Sequence, residues 1–413
     1  MIKFLSAIPA GYELIVGPPG PLLNLIGVTL MLNGLPNEGS ERMLSICIAS
    51  HNGYGAIAGV SGGHVGGVER QTSLLARWLA ARGHQVSFLT WNEGGPDEEI
   101  IDGVRVIKIC RQNAGHPGLR FLHPKWSGLV KAIRKADADI YYQNGGGCET
   151  GQMAIWCRLH GKPFVFSMAS DADCNPDLPE LRTWRERIFY KHGLRHASRR
   201  VAQTETQRQH LADNFGTDSE VIPMPAPDSE VGGAPSPDRI TGRIVWIGRV
   251  CRVKRPDFLL DIATACPDLD FDVAGQVYDD EYSRSVAKRA SLIPNVRMLG
   301  AVPREEIPEL YRSASLLCCT SDYEGFPNTF LEAWSHGLPI VSTFDPDGLI
   351  GSRKLGRVGR NPASLISGMR ELLADPAYYA ETSARSREYY LSHHSMETVM
   401  PRFERMFIDL VQK

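Results

Sequence analysis

Short apolar runs alternate with longer segments of helical periodicity from residue 44 to the end of the chain. This alternation predicts strand–helix–strand units, in which buried parallel strands are connected by helices that cover both faces of a sheet. We therefore predict an α/β fold with two successive doubly wound parallel sheets. The predicted strands lie at 44–49, 86–89, 104–109, 139–142, 164–168 and 200–203, and then at 243–247, 271–274, 296–299, 314–319 and 340–342.

A stretch rich in proline separates the two sets of strands. Residues 223–238 contain five prolines and two adjacent glycines, which is typical of an interdomain linker. The first 42 residues lack periodicity, and Met43 directly precedes the first predicted strand, so we expect this segment to be an appendage to the folded core. The predicted organisation is an appendage at 1–42, a first domain at 43–222, a linker at 223–240, a second domain at 241–390 and a C-terminal helical segment at 391–413.

Composition narrows the class of protein. The net charge of −2 argues against bulk nucleic-acid binding, because a nucleic-acid-binding domain usually carries a strong basic excess. The nine cysteines form no C-x2-C pair, and several lie in strand-like runs, which is typical of a reducing compartment and not of a disulfide framework or zinc site. The apolar patch at 22–32 is too short to span a bilayer as a helix. We therefore expect a cytoplasmic protein.

The stretch SDYEGFPNTFLEAWSHGLP follows the predicted strand at 314–319 and combines two carboxylates with a helix start. Glu324 lies in the loop and Glu332 lies eight residues later, inside the predicted helix. A carboxylate accepts several hydrogen bonds and suits the vicinal hydroxyls of a sugar. Helix N-terminal amides bind anions. A pocket for a sugar joined to a phosphate is one interpretation, and a surface loop with an incidental acid is the other.

Two further segments could contact phosphate. Gly66 and Gly67 end a glycine-rich loop between the first strand and helix, where backbone amides can approach a phosphate. The G-x-G-x-x-G spacing of dinucleotide-binding loops is broken there, which disfavours a dehydrogenase. Arg249 and Lys254 follow Gly248 at the end of a predicted strand and could hold a diphosphate. A tight turn and solvated surface charges are the respective alternatives.

The segment EGFPNTFLEAWSHGLPIV closely resembles the E-x7-E signature of the retaining GT-B glycosyltransferases of family 4. GGVERQ is similar to the family's first loop, which faces the donor phosphates, and Gly248, Arg249 and Lys254 match its G-R-x4-K arrangement on the donor diphosphate. The resemblance covers about 44–413. It implies the GT-B architecture, with two Rossmann-like domains facing a cleft and a C-terminal helix that crosses back to the first domain.

The resemblance also implies what the protein does. We expect it to transfer a sugar from a nucleotide-sugar donor, with retention of anomeric configuration, to a glycan, lipid-linked or small-molecule acceptor, for instance in the synthesis of cell-envelope polysaccharide. No metal and no cofactor besides the nucleotide-sugar are expected. The implied catalytic residues are Glu324, Arg249, Lys254 and Asp171. The implied donor-binding residues are Gly66, Gly67, Gly248, Arg249, Lys254, Glu324, Gly325, Phe326, Asn328, Thr329 and Glu332.

The sequence departs from the family on the acceptor side. Ala169 occupies the position where the family usually has a histidine near the reacting sugar carbon, and Asp171 and Asp173 follow it as a D-x-D triplet. These acids could ligate a metal or simply cap a turn. A sugar-nucleotide epimerase on the same fold and a non-catalytic sugar-nucleotide-binding protein are therefore the alternatives. The first needs no acceptor, and the second binds donor without turnover.

Two basic amphipathic segments stand out in the first domain, at 125–135 and 182–200. The second places Trp184, Phe189 and Tyr190 among seven basic residues. Such segments can lie on the inner face of an anionic membrane or hold a phosphorylated lipid acceptor. A solvated charged face above a buried aromatic stripe is the alternative interpretation.

Overall fold

The computed structural model describes residues 42–59, 66–229 and 240–412. Met43–Lys413 forms one compact unit, which contains both predicted sheets. The predicted appendage at 1–42 lies almost wholly outside the described residues, and so does most of the predicted linker. The proposed domain boundaries stay predictions. We call the first sheet and its helices the N-terminal lobe, and the second sheet and its helices the C-terminal lobe.

Eight strands of the described chain form the sheet of the N-terminal lobe, in the order β3-β4-β2-β1-β5-β6-β7-β8. Neighbouring strands are parallel except for β3 and β4. The strands are β1 (Ser45–Ala49), β2 (Gln85–Thr90), β3 (Glu98–Ile101), β4 (Val104–Lys108), β5 (Ile140–Asn144), β6 (Phe164–Ser167), β7 (Arg199–Ala202) and β8 (Glu220–Val221). The helices are α1 (Tyr54–Ala58), α2 (Gly67–Ala81), α3 (Ser127–Ala136), α4 (Cys148–Leu159), α5 (Trp184–His196) and α6 (Glu205–Phe215).

The sheet of the C-terminal lobe is parallel throughout its described strands and has the order β11-β10-β9-β12-β13-β14. Its strands are β9 (Arg243–Ile247), β10 (Asp270–Ala274), β11 (Val296–Gly300), β12 (Leu316–Cys319), β13 (Ile340–Ser342) and β14 (Gly356–Val358). The helices after β9 are α7 (Pro256–Ala265), α8 (Glu281–Ala290), α9 (Ile307–Ser313), α10 (Asn328–Ser335), α11 (Leu349–Ser352), α12 (Pro362–Ala374), α13 (Pro376–His393) and α14 (Met396–Val411).

Both sheets reverse their strand order at a switch point, between β1 and β5 in the N-terminal lobe and between β9 and β12 in the C-terminal lobe. The loops that leave neighbouring strands at such a point diverge, and the crevice between them is where ligands bind in open α/β sheets. The predicted class, an α/β protein with two doubly wound parallel sheets, is confirmed. The crevices at the two switch points are therefore the candidate binding sites for a donor and an acceptor.

The C-terminal helix α14 completes the core of the N-terminal lobe. Its residues Val399, Phe403 and Phe407 are buried in the same apolar cluster as strands β1 and β2. The rings of Phe403 and Phe407 meet Tyr142 of β5 edge to face, with centroids 5.9 and 5.8 Å away. The chain thus returns from the second lobe to the first, as the resemblance implied.

A buried polar pair fixes the position of α14. The Nε2 atom of His84 lies 2.9 Å from Oε1 of Glu404, and both side chains are nearly inaccessible. The Nδ1 atom of His84 accepts a hydrogen bond from the backbone N–H of Leu44, so Nε2 carries the proton and donates to the carboxylate. Sequence reasoning did not find this pair, because its members are 320 residues apart.

The remaining differences from the sequence prediction are local. The edge strands β3, β8 and β14, with the sequences EEII, EV and GRV, were not predicted. The N-terminus of α6 has half of a capping box. Thr204 Oγ1 accepts from Gln207 N–H, but the Gln207 side chain accepts from the N–H of Gln203 and not of Thr204.

Replacing Phe407 by alanine should destabilise the protein by about 3–5 kcal/mol, because a buried aromatic side chain is lost and a cavity remains. Urea unfolding followed by circular dichroism measures the change. Asp409→Ala, an exposed position of the same helix, is the matched control and should change the midpoint little. Equal midpoints for the two variants would contradict the packing of α14 against β5.

Candidate functional site

The first part of the site lies at the switch point of the C-terminal lobe. Lys254 follows β9 and its ammonium group pairs with Oε1 of Glu324, which follows β12. Ser321 donates a second hydrogen bond to the same oxygen, with an Oγ–Oε1 distance of 2.6 Å. Both charged side chains are partly buried. A cation and an acceptor are thus held side by side at the crevice where α/β sheets bind ligands.

Two hydrogen bonds fix the position of the backbone at Lys254. The Thr320 hydroxyl donates to the Lys254 carbonyl at 2.8 Å, and Trp246 Nε1–H donates to that hydroxyl at 2.9 Å. This chain of bonds links the loop after β9 to the end of β12. The position of the lysine is therefore set by the rigid strands and not by the loop alone.

Close approach to the backbone of Gly248, the residue before Arg249, explains why residue 275 is glycine. A side chain at Gly275 would place Cβ 2.0 Å from the Gly248 carbonyl oxygen, so the two strand ends can meet only when that residue is glycine. Arg249 follows directly, is exposed, and takes part in none of the ion pairs formed by the described residues. Its guanidinium is available to an anionic ligand.

The second part of the site surrounds Glu332 in α10, whose side chain is nearly inaccessible. Arg70 of α2 and Arg304 both bind its Oε1, the latter at 2.8 Å, and Tyr311 O–H donates to Oε2 at 2.9 Å. Burial alone would raise the pKa of Glu332, but Arg70 and Arg304 outweigh burial and lower it. The carboxylate is therefore charged and held by cations from both lobes.

The N-terminus of α2 packs against the N-terminus of α10 across the cleft. Gln71 Nε2 donates to Asn328 Oδ1 at 2.8 Å and to the Pro225 carbonyl at 2.9 Å. A Cβ atom on Gly67 would lie 2.5 Å from the Asn328 side chain, so the absence of a side chain allows the approach. The two helix starts that the sequence indicated as phosphate contacts therefore face one another.

The lobes also meet at the position of the missing histidine. A side chain on Gly325 would lie 2.8 Å from the Ala169 carbonyl oxygen and 3.0 Å from Ser170 Cα. Asp347 of the C-terminal lobe accepts from the backbone N–H groups of Glu205 and Thr206 at 2.8 and 3.0 Å. It thereby caps α6 of the other lobe, where the helix dipole favours an anion.

The two acids after β6 have structural partners. Asp173 is buried, and its Oδ2 accepts from the N–H groups of Ala169 and Ser170 at 2.7 and 3.2 Å. Burial raises the pKa of Asp173 to about 6, although those hydrogen bonds oppose it. Asp171 accepts from the Gln207 side chain at 3.1 Å, and burial raises its pKa too. The described residues contain no cluster of three or more His, Cys, Asp or Glu side chains that could hold a metal.

A polar cavity opens at the switch point of the N-terminal lobe, at the carboxyl ends of β1, β5 and β6. Its described lining includes Glu69, Glu149, Glu180, Lys125 and His51. Burial lowers the pKa of His51, although Glu149 opposes this, and Nε2 of the ring has no hydrogen-bond partner among the described atoms. The cavity is thus rich in hydroxyl-binding groups and carries more negative than positive charge.

The structure brings the predicted residues together in two groups, one around Lys254 and one around Glu332. Phe326 contributes its backbone at most, because its ring is buried against Trp334 and His394. Gly66, Gly67, Gly325, Asn328 and Thr329 line the junction of the lobes or begin its helices. Sequence reasoning missed Ser321, Arg70, Arg304 and Tyr311 as partners of the two glutamates.

Two family models match this chain in succession. Residues 66–227 match the "Glycosyl transferase 4-like domain", and residues 241–375 match "Glycosyl transferases group 1". The chain belongs to the GT-B glycosyltransferases. The first matched region lies mainly in the N-terminal lobe, and the second lies in the C-terminal lobe.

Known proteins agree with this assignment. The D-inositol 3-phosphate glycosyltransferase of Nocardiopsis dassonvillei is 25% identical over 376 residues, which is 79% of this chain and 86% of that protein. Sucrose-phosphate synthase from Thermosynechococcus elongatus has the same fold, with a TM-score of 0.72, 17% identity and coverage of 89% of this chain and 99% of that one. Anabaena HepE, solved with UDP and glucose, gives a TM-score of 0.68 at 16% identity, covering 88% and 99%.

If Glu332 binds the donor ribose, Glu332→Ala should weaken donor binding by roughly 1.5–3 kcal/mol, the usual effect of losing a charged hydrogen-bond partner. Isothermal titration with the nucleotide-sugar measures the dissociation constant. Glu305→Ala removes an exposed acid of the same lobe and serves as the control. An unchanged dissociation constant in a folded Glu332 variant would refute the role in ribose binding.

Proposed function

We propose that this glycosyltransferase is a retaining, metal-independent enzyme that moves a sugar from a nucleotide-sugar to a hydroxyl group of an uncharged acceptor. The observation that carries the proposal is the arrangement at the C-terminal switch point, where Lys254 pairs with Glu324 and where Arg249, which forms no ion pair with another described residue, follows the end of β9. The charge of a diphosphate suits the two cations, and Glu324 suits the sugar hydroxyls beside it. HepE, which has the same fold, was solved with UDP and glucose.

We further propose that the nucleoside end of the donor binds at Glu332. A carboxylate offers about four acceptor positions, and Arg70, Arg304 and Tyr311 use three of them. A ribose diol needs two, so one present partner must leave. Arg70 is the partner from the other lobe, and the diphosphate offers it a new anion. Donor binding is therefore expected to loosen the Arg70–Glu332 contact while Arg304 keeps the carboxylate neutralised.

The reaction that fits these groups needs no protein base. The acceptor oxygen attacks the anomeric carbon from the face that the diphosphate leaves, the bond from that carbon to the phosphate oxygen breaks, and the departing phosphate takes the acceptor's proton. Ala169 in place of histidine is compatible with this route. Lys254 and Arg249 would stabilise the charge that builds on the diphosphate, an effect that is often the largest catalytic contribution.

The acceptor would bind in the cavity of the N-terminal lobe. In the described lining, four acidic side chains (Glu69, Glu149, Asp173 and Glu180) against one ammonium group disfavour a phosphorylated acceptor and favour neutral hydroxyls. In this respect the proposal differs from what the names of two relatives imply, the D-inositol 3-phosphate glycosyltransferase and the mannosylfructose-phosphate synthase of Agrobacterium fabrum. The neutral sugar of a glycan or of a lipid-linked acceptor fits the cavity better.

Product analysis tests the proposed function. A thermal-shift screen of UDP-, GDP- and ADP-sugars identifies the donor, since a ligand of the native state raises its melting temperature. The donor is then incubated with neutral and phosphorylated sugar acceptors, with and without EDTA. We expect transfer to neutral acceptors that EDTA leaves unchanged. Donor epimerisation without acceptor, or donor binding without turnover, would favour the alternatives, and rescue by manganese would refute metal independence.

Lys254→Ala and Arg249→Ala should each lower turnover by roughly 10²–10³-fold at saturating donor, as the loss of one charge-stabilising donor typically does. Asp171→Ala should do less damage, because its carboxylate is bound to Gln207. NMR of the product assigns the anomer. An inverted product, or an Asp171 variant worse than the Lys254 variant, would mean that a protein base takes part.

A further inference from the structure

A surface of the N-terminal lobe exposes large apolar side chains beside the acceptor cavity. Leu119 and Leu122 are 64% and 56% exposed, and on α5 Trp184 and Ile188 are 71% and 56% exposed. The two α5 residues are four positions apart and therefore lie on one helix face. A soluble protein rarely clusters exposed apolar side chains without a binding partner. We call this set, with the aromatic residues beneath it, the apolar surface.

Aromatic rings join the two halves of the apolar surface into one unit. Phe121 and Trp126 each meet Phe189 of α5, with ring centroids 5.3 and 5.4 Å away, and contact each other at 5.7 Å. The guanidinium of Arg185 lies 5.2 Å from the Phe121 ring centroid. The segment Phe121–Trp126 is thereby fixed against α5, so Leu122 within it and Leu119 just before it belong to a built surface.

Basic side chains surround the apolar surface. Residues 119–135 contain five basic and no acidic residues, and residues 182–196 contain five basic residues and one glutamate. That glutamate, Glu186, is bound to the Thr183 backbone N–H at 2.8 Å, which caps α5. The whole chain has a net charge of −2, so the positive charge is concentrated here. The partner must be both apolar and anionic.

We propose that the apolar surface docks onto a bilayer that contains anionic lipids. Trp184, Ile188, Leu119 and Leu122 would enter the boundary between headgroups and acyl chains, and Lys131, Arg134 and Lys191 would lie against the headgroups. Apolar contact combined with basic charge is what this kind of peripheral binding requires. No described helix is long and apolar enough to cross a membrane.

The docking surface and the acceptor cavity share a segment of chain. Lys125 lines the cavity, with its ammonium 5.2 Å from the Trp91 ring centroid, while the next residue, Trp126, packs in the apolar surface. A docked bilayer would therefore lie beside the entrance to the cavity. This placement suits an acceptor sugar carried by a lipid, but the docking itself does not depend on the proposed reaction.

Vesicle co-sedimentation tests the docking with the full chain. We expect binding to vesicles of phosphatidylglycerol mixed with phosphatidylcholine, weaker binding at high salt, and little binding to phosphatidylcholine alone. The double variant Trp184→Ser/Ile188→Ser should bind at least about tenfold more weakly, because two buried apolar side chains are lost. Lys131→Glu/Arg134→Glu should bind at least about 30-fold more weakly, since each of the two basic residues lost contributes about fivefold near an anionic surface and the introduced acids are repelled by it.

Matched controls lie on the C-terminal lobe. Leu292→Ser changes a leucine that is 76% exposed, and Lys288→Glu reverses an exposed charge, so both should bind vesicles like the parent protein. Melting temperatures verify that all variants are folded. Brominated lipid should quench tryptophan emission, and Trp184→Leu should retain binding but lose much of that quenching.

The same vesicle assay can refute the docking proposal. Absence of vesicle binding, or equal losses in the surface variants and their controls, would refute docking. Self-association that the Trp184→Ser/Ile188→Ser variant abolishes, seen without vesicle binding, would assign the surface to a second copy of the chain. Because the assay needs neither donor nor acceptor, its failure is distinct from a failure of the proposed enzymatic function.

Discussion

A buried carboxylate needs cations and hydrogen-bond donors beside it, and those around Glu332 come from both lobes. An uncompensated charge at this depth would cost several kcal/mol, so the carboxylate needs cations and hydrogen-bond donors around it. Arg304 and Tyr311 come from its own lobe and Arg70 comes from the other. The neutralisation of Glu332 and one of the contacts between the lobes are therefore the same interaction. Any ligand that uses this carboxylate also acts on the distance between the lobes.

The fold was predictable because its information is local. A buried parallel strand appears as an apolar run, and a surface helix shows its own period, so β9 and β13 were placed at their observed ends from the sequence alone. The apolar residues of α14 likewise recur at helical spacing, which predicted a helix with one buried face. Local patterns did not show the edge strands β3 and β14, whose short sequences, EEII and GRV, contain no run of three apolar residues.

The sequence predicted which residues of the C-terminal lobe belong to the candidate site, but it did not predict their contacts with the N-terminal lobe. Glu324, Glu332 and Lys254 follow strand ends, and the switch-point rule brings strand ends together. Arg70 stands beside the predicted loop, yet nothing in the sequence assigned it to a carboxylate 262 residues away, because that contact depends on the relative position of two independently folded sheets. The same limit applies to His84 and Glu404. Long-range ion pairs leave no periodic pattern in the sequence. The sequence can therefore indicate that a charged residue belongs to the site, but not which residue it pairs with.

Backbone atoms of the two lobes meet at Ala169. Gly325 approaches the backbone of Ala169 and Ser170 so closely that a side chain on the glycine would not fit. Asp173 accepts hydrogen bonds from the Ala169 and Ser170 N–H groups and so holds this part of the junction in place. Residue 169 itself offers no acid, base or hydrogen-bonding side chain. In the proposed function, catalysis therefore depends on Arg249 and Lys254, which would stabilise charge on the donor, and acceptor selectivity depends on the carboxylate-rich cavity of the N-terminal lobe.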